Sequence, residues 1–155
     1  MWTEQWERLL RWYARIEKSA HSSHSEMQGE FYRDEFYAFF EVALHMKDWL
    51  KNDVLSSSVC ADVEDFVKSK PALMHAGSLA IGSKHLSVDD PKYKPAARIS
   101  QSVTVMVHEI GSPGIATARH EFGVVASGQH QQNAFELATD CLEDWRNYLK
   151  SKSLL

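Results

Sequence analysis

The chain has 155 residues, of which 44% are hydrophobic and 25% charged, and its net charge is -4. That length suits one domain, 1–155, with a real core, and the composition is ordinary for a globular protein. The acidic balance gives no broad basic patch for nucleic acid, so any RNA would have to be held in a local groove.

Cys60 and Cys141 form no C-x-x-C pair, which excludes a zinc ribbon. They read as buried thiols in a reducing compartment. The first residues, Met1-Trp2-Thr3-Glu4-Gln5-Trp6-Glu7, are acidic and amphipathic, unlike a signal peptide. No stretch reaches the roughly 18 uncharged apolar residues of a membrane span. A cytoplasmic protein with no membrane partner is expected.

Trp2, Trp6, Leu9, Leu10, Tyr13 and Ile16 recur at helical spacing and predict a first helix from about Thr3 to Ala20, with Thr3 as N-cap. His21-Ser22-Ser23-His24-Ser25 is a polar break. A second helix, from about Glu26 to Asn52, carries too many apolar residues for one exposed face. It is expected to be central. A third helix should begin after Ser56-Ser57-Ser58 and run to about Lys68, with Ser58 in a loose capping arrangement. Pro71 opens a short fourth helix ending at His85, because proline suits the first turn. Val88 to Pro95 reads as loop.

The period then changes. Ile99 to Ile110 alternates like a strand, Gly111-Ser112-Pro113-Gly114 is a turn signal, and Ile115 to Ser127 follows as a second strand. The pair forms a β-hairpin over about 98–127, with Val105 within a residue or two of His120 and Thr104 similarly near Glu121. A lone hairpin is marginal in water, so it must pack on the helices or on a partner. His130 to Lys150 closes the chain as a helix. The expected fold is mainly α, a four- or five-helix bundle with a β-hairpin inserted before the C-terminal helix.

Two short polar clusters sit in apolar helical surroundings: His45-Met46-Lys47-Asp48-Trp49 and Ser83-Lys84-His85-Leu86. An unpaired polar group in a core costs roughly 1–3 kcal/mol, so something holds each in place. His45 and Asp48 are neighbours on one helical face, where a carboxylate can fix the tautomer of an imidazole and raise its basicity. The pair reads either as acid/base machinery or as a hydrogen bond that locks the central helix. Lys84 and His85 close a helix, where the dipole favours cations. Alternatively they project into a cleft beside His45 and Asp48, to bind phosphate or protonate a leaving oxygen. No H-x-x-x-H or H-E-x-x-H spacing supports metal ligation, and no cofactor motif is present. His108-Glu109 and His120-Glu121 read as hairpin surface charge.

The segment Phe39-Phe40-Glu41-Val42-Ala43-Leu44-His45-Met46-Lys47-Asp48-Trp49-Leu50 resembles the H-x-x-D-W signature of a group of small, uncharacterised bacterial proteins. Those carry a later segment like D-x-A-N-x-x-K-H, then a hairpin and a final helix with a Trp. Ser78 to Leu86 and Trp145 occupy those places, with Ile81 where the family has Asn. The bundle also resembles the HEPN superfamily at the level of fold. That resemblance implies a helical domain that often dimerises and often serves as a ribonuclease of toxin or antiviral systems. Its usual catalytic motif is Arg, four to six residues, then His. Arg15 and His21 match the spacing but lie at the end of the first helix, not in a late one, and are set aside.

Two functions follow as expectations. One is a HEPN-like protein acting on RNA or a nucleotide, a metal-independent ribonuclease or phosphotransfer enzyme. His45 and His85 would be its acid/base groups, Asp48 the orienter and Lys84 the phosphate contact. The other is a non-catalytic interaction module, a toxin partner or a phage or plasmid accessory protein. It would bind through the hairpin or the Trp-rich first helix. A homodimer is expected under either.

Overall fold

The computed structural model describes residues 1–20, 29–83, 97–107, 116–126 and 132–155. Its elements are α1 (Trp2–Ala20), α2 (Gly29–Asn52), α3 (Val63–Ser69), α4 (Pro71–Gly82), β1 (Ala97–Val107), β2 (Ala116–Ala126), β3 (Gln132–Asn133) and α5 (Ala134–Ser151). The protein is a helical bundle with a small antiparallel sheet inserted before the last helix, in strand order β1-β2-β3.

Helix α2 is central because its apolar residues repeat at helical spacing. Phe36, Phe39, Phe40, Ala43, Met46 and Leu50 are all buried. Each large side chain removed from water contributes roughly 1.5–3 kcal/mol. Helix α1 lays Leu9 and Ile16 against this core, and its buried Gln5 donates from Nε2 to the Val42 carbonyl at 3.0 Å. Helix α5 is pinned from the other side: the Trp145 indole N–H donates to the Ala43 carbonyl at 3.0 Å. The sheet joins the core through its base, where Ile99, Phe122 and Val124 are buried and the Phe122 ring lies 5.3 Å from that of Phe36.

Several details differ from the sequence reading. Helix α1 starts at Trp2, and the Glu4 amide donates to the Met1 carbonyl, so Thr3 lies inside the first turn instead of capping it. Helix α3 starts only at Val63, after a run of turns over 54–62, with Asp62 and not Ser58 at its N-cap position. Helix α5 starts at Ala134, because the Asn133 side chain accepts from the Phe135 and Glu136 amides and fixes the first turn there. Strand β3 had no sequence signal. The hairpin register pairs Val105 with Ala118 and Val103 with His120, within the two residues the sequence allows. Trp2 and Trp6 are buried core residues, and the Arg15 guanidinium covers the Trp12 ring at 4.7 Å. The aromatic face of α1 is therefore occupied within the fold. The polar break at 21–25, the loop at 88–95, the hairpin turn, and Lys84 and His85 lie outside the described residues.

Candidate functional site

Along α2, beginning beside the phenylalanine stripe and turning away from it, polar residues recur every four positions: Arg33, Tyr37, Glu41 and His45. Residues four apart on a helix are neighbours. The first three line a surface cleft of about 610 Å³ together with Asp34 and Ala38, Gly82 and Ser83 at the end of α4, and Arg98 and Ile99 at the start of β1. His45 is half-buried one helical turn beyond Glu41.

Three hydrogen bonds hold the walls of this cleft together. The Ser83 hydroxyl donates to Glu41 Oε1 at 2.6 Å, joining the end of α4 to α2. The Ile99 amide donates to the Tyr37 hydroxyl at 3.2 Å, joining β1 to α2. Behind them, the Ala97 amide donates to the buried Ser78 hydroxyl at 2.8 Å, joining β1 to α4. The two guanidiniums, by contrast, are available. Among the described residues neither Arg33 nor Arg98 forms an ion pair, and Arg98 is exposed. Two unpaired, planar, always-charged forks in one cleft suit oxyanion recognition.

The second half of the His45-Met46-Lys47-Asp48-Trp49 cluster turns elsewhere. Lys47 Nζ lies 2.9 Å from Asp48 Oδ1 and 3.3 Å from Glu64 Oε1, so Asp48 is paired with Lys47. The Lys47 side chain is only 13% exposed, and its reach to Glu64 fastens α3 to α2. No hydrogen bond joins His45 to Asp48 among the described residues. Asp48 lines a separate hollow of about 390 Å³ with Met1, Trp49, Asn52 and Asp53. Of the four sequence candidates, then, the structure sets His45 one helical turn beyond the lining of the cleft and Asp48 apart from it. Lys84 and His85 follow Ser83 of the cleft rim directly in the chain.

A third polar cluster is structural. Tyr148 donates its hydroxyl to Asp62 Oδ1 at 2.7 Å, and Lys152 Nζ donates to Asp62 Oδ2 at 2.8 Å, clasping the end of α5 to the start of α3. These two bonds hold the Asp62 carboxyl below its ordinary pKa, the Lys152 bond more strongly. Burial and the bond to Asp62 raise the Tyr148 phenol well above its own. Cys60 and Cys141 are both free and buried, and burial pushes each thiol up. Among the described residues no group of three or more His, Cys, Asp or Glu side chains could hold a metal ion. Among the same residues, no helix is long and apolar enough to cross a membrane.

The chain matches no family model, no curated protein and no solved structure.

Proposed function

We propose that this is a HEPN-like helical protein that acts on RNA or a nucleotide in the α2–α4–β1 cleft. The supporting observation is the pair of guanidiniums, Arg33 and Arg98, which form no ion pair among the described residues and are set in one cleft with the carboxylates of Asp34 and Glu41. The guanidiniums suit phosphate oxygens. The carboxylates can accept from ribose hydroxyls or base amino groups, which a bare phosphate does not offer. Two positive and two negative side chains balance, so the cleft favours a ligand that is anionic at one end and a hydrogen-bond donor at the other. His45 continues the α2 stripe one helical turn beyond Glu41 and is the side chain proposed for proton transfer. Asp48, paired with Lys47, has no role in this scheme.

The test is a binding titration with labelled single-stranded RNA and with nucleoside monophosphates. Arg33→Ala and Arg98→Ala should each weaken binding about tenfold or more, the effect of losing a charge-assisted hydrogen bond of roughly 1.5–3 kcal/mol. His45→Ala should abolish turnover of a bound substrate without weakening binding. A wild-type protein that binds neither class of ligand would overturn the proposal.

The alternative, a non-catalytic interaction module, draws support from a different place. Val54, Leu55 and Val59 on the turns between α2 and α3 are 87%, 64% and 45% exposed. Exposed apolar residues grouped in this way mark contact surfaces more often than scattered ones do.

A further inference from the structure

Strand β1 lies at the edge of the described sheet, and among the described residues its second edge is covered at its base alone. The Ala97 amide is taken by Ser78 and the Ile99 amide by Tyr37, so both point away from β2. The register with β2 runs without interruption from Ala97 to Val107. Backbone amides alternate in direction along a strand. Those of Gln101, Val103, Val105 and Val107 therefore also point away from β2. Among the described residues no strand pairs with them.

Exposed strand edges are usually guarded by charge, proline or a bulge. The sequence of strand β2 carries charge in Arg119 and Glu121. Strand β1 has none beyond Arg98 at its base: from Ile99 to Val107 it reads Ile-Ser-Gln-Ser-Val-Thr-Val-Met-Val, without a charge, a proline or a glycine. That run is rich in β-branched residues, which favour strand pairing. The missing charge also decides between occupants. In a two-fold antiparallel pairing the strand meets its own sequence reversed, and any charge in it would face or flank its copy. The uncharged run from Ile99 to Val107 pairs with itself without that penalty. A charged edge such as that of β2 would instead call for a complementary partner.

We propose that β1 is the self-pairing edge of a two-fold homodimer, in which the outward amides of Val103 and Val105 bond to the same strand of a second copy. The sheet becomes continuous across the two chains, and the outer part of the hairpin, marginal as a two-stranded ribbon, gains a third strand.

Sedimentation of the full chain over a range of concentrations provides the test, paired with two variants. Val105→Pro removes an outward N–H and no bond to β2, a position where an edge strand tolerates proline. Val103→Lys installs a guard charge that a two-fold pairing brings close to its own copy. The wild type should sediment at twice the 17.7 kDa chain mass, and both variants at the single-chain mass with unchanged helical circular dichroism. If Val105→Pro fails to fold, Val103→Lys decides. Amide exchange of the wild type gives a reading free of mutation: Val103 and Val105 should become protected as concentration rises. A wild type that stays at the single-chain mass would overturn the proposal. So would a dimer that survives both substitutions, or protection confined to other elements.

Discussion

The Tyr37 hydroxyl accepts a hydrogen bond from the Ile99 amide at 3.2 Å, across 62 positions of sequence. This contact fixes where the sheet meets the bundle. It closes one wall of the cleft, brings Arg98 of β1 to the same cleft as Arg33 of α2, and covers the last guarded amide of the β1 edge. Neighbouring Ser78 performs the same service for Ala97 from within α4.

Ser78→Ala is expected to cost about 1–3 kcal/mol, the penalty for leaving a buried amide unpaired. Its effect should be local. Amide exchange should rise at Ala97 and Ile99 before it rises in α5, and ligand affinity should fall through the displaced Arg98. Uniformly faster exchange across the whole chain would argue instead for a global loss of packing.

Lys47, and not His45, is the partner of Asp48. Double-mutant cycles on chemical denaturation should give coupling of roughly 0.5–1 kcal/mol for Lys47 with Asp48 and for Lys47 with Glu64, the ordinary range for partly exposed ion pairs. The His45–Asp48 cycle should give coupling near zero. A large His45–Asp48 coupling would restore the acid/base pair that their spacing suggests.

Asp62 gives the fold a defined acid sensitivity. Its pKa is lowered by Lys152 and then by Tyr148. As pH falls, the unfolded chain therefore takes up this proton before the folded one. The stabilisation is complete above the unfolded value of about 3.9 and is lost as pH drops through the lower folded value. The stability gap between wild type and Asp62→Asn should hold constant from neutral pH to about pH 5, then close below pH 4. A gap that does not change with pH would mean the clasp acts through shape and not through charge.

Much of the architecture is legible in the sequence, for reasons that are local. Phe36, Phe39, Phe40, Ala43, Met46 and Leu50 mark the buried side of α2 by spacing alone. The change to period two at Ile99 marks the hairpin. Its register is legible to within two residues because register follows the placement of the turn, and a shift of two keeps the alternation of faces. The start of α5 was readable too: Asn133 followed by Glu136 is a cap signature. Strand β3, two residues long, carries no periodicity to read.

The cleft was hidden because it is assembled from three segments. Only the α2 portion has a signal, the four-residue recurrence of Arg33, Tyr37, Glu41 and His45. Nothing in the spacing of Ser83 or Arg98 announces that α4 and β1 close upon it. The His45–Asp48 spacing, conversely, offered a pairing that Lys47 takes up instead, because a long cationic side chain can reach both Asp48 and Glu64.

Amide chemical-shift mapping during titration with a nucleoside monophosphate would be the most direct test of the cleft. Ligand in the cleft should move Tyr37, Glu41, Ser83, Arg98 and Ile99 together and leave the Val54–Val59 turns untouched, with the response lost in Arg33→Ala. Unmoved cleft amides at saturating ligand, or shifts gathered at Val54, Leu55 and Val59, would contradict a phosphate-ligand site between α2, α4 and β1.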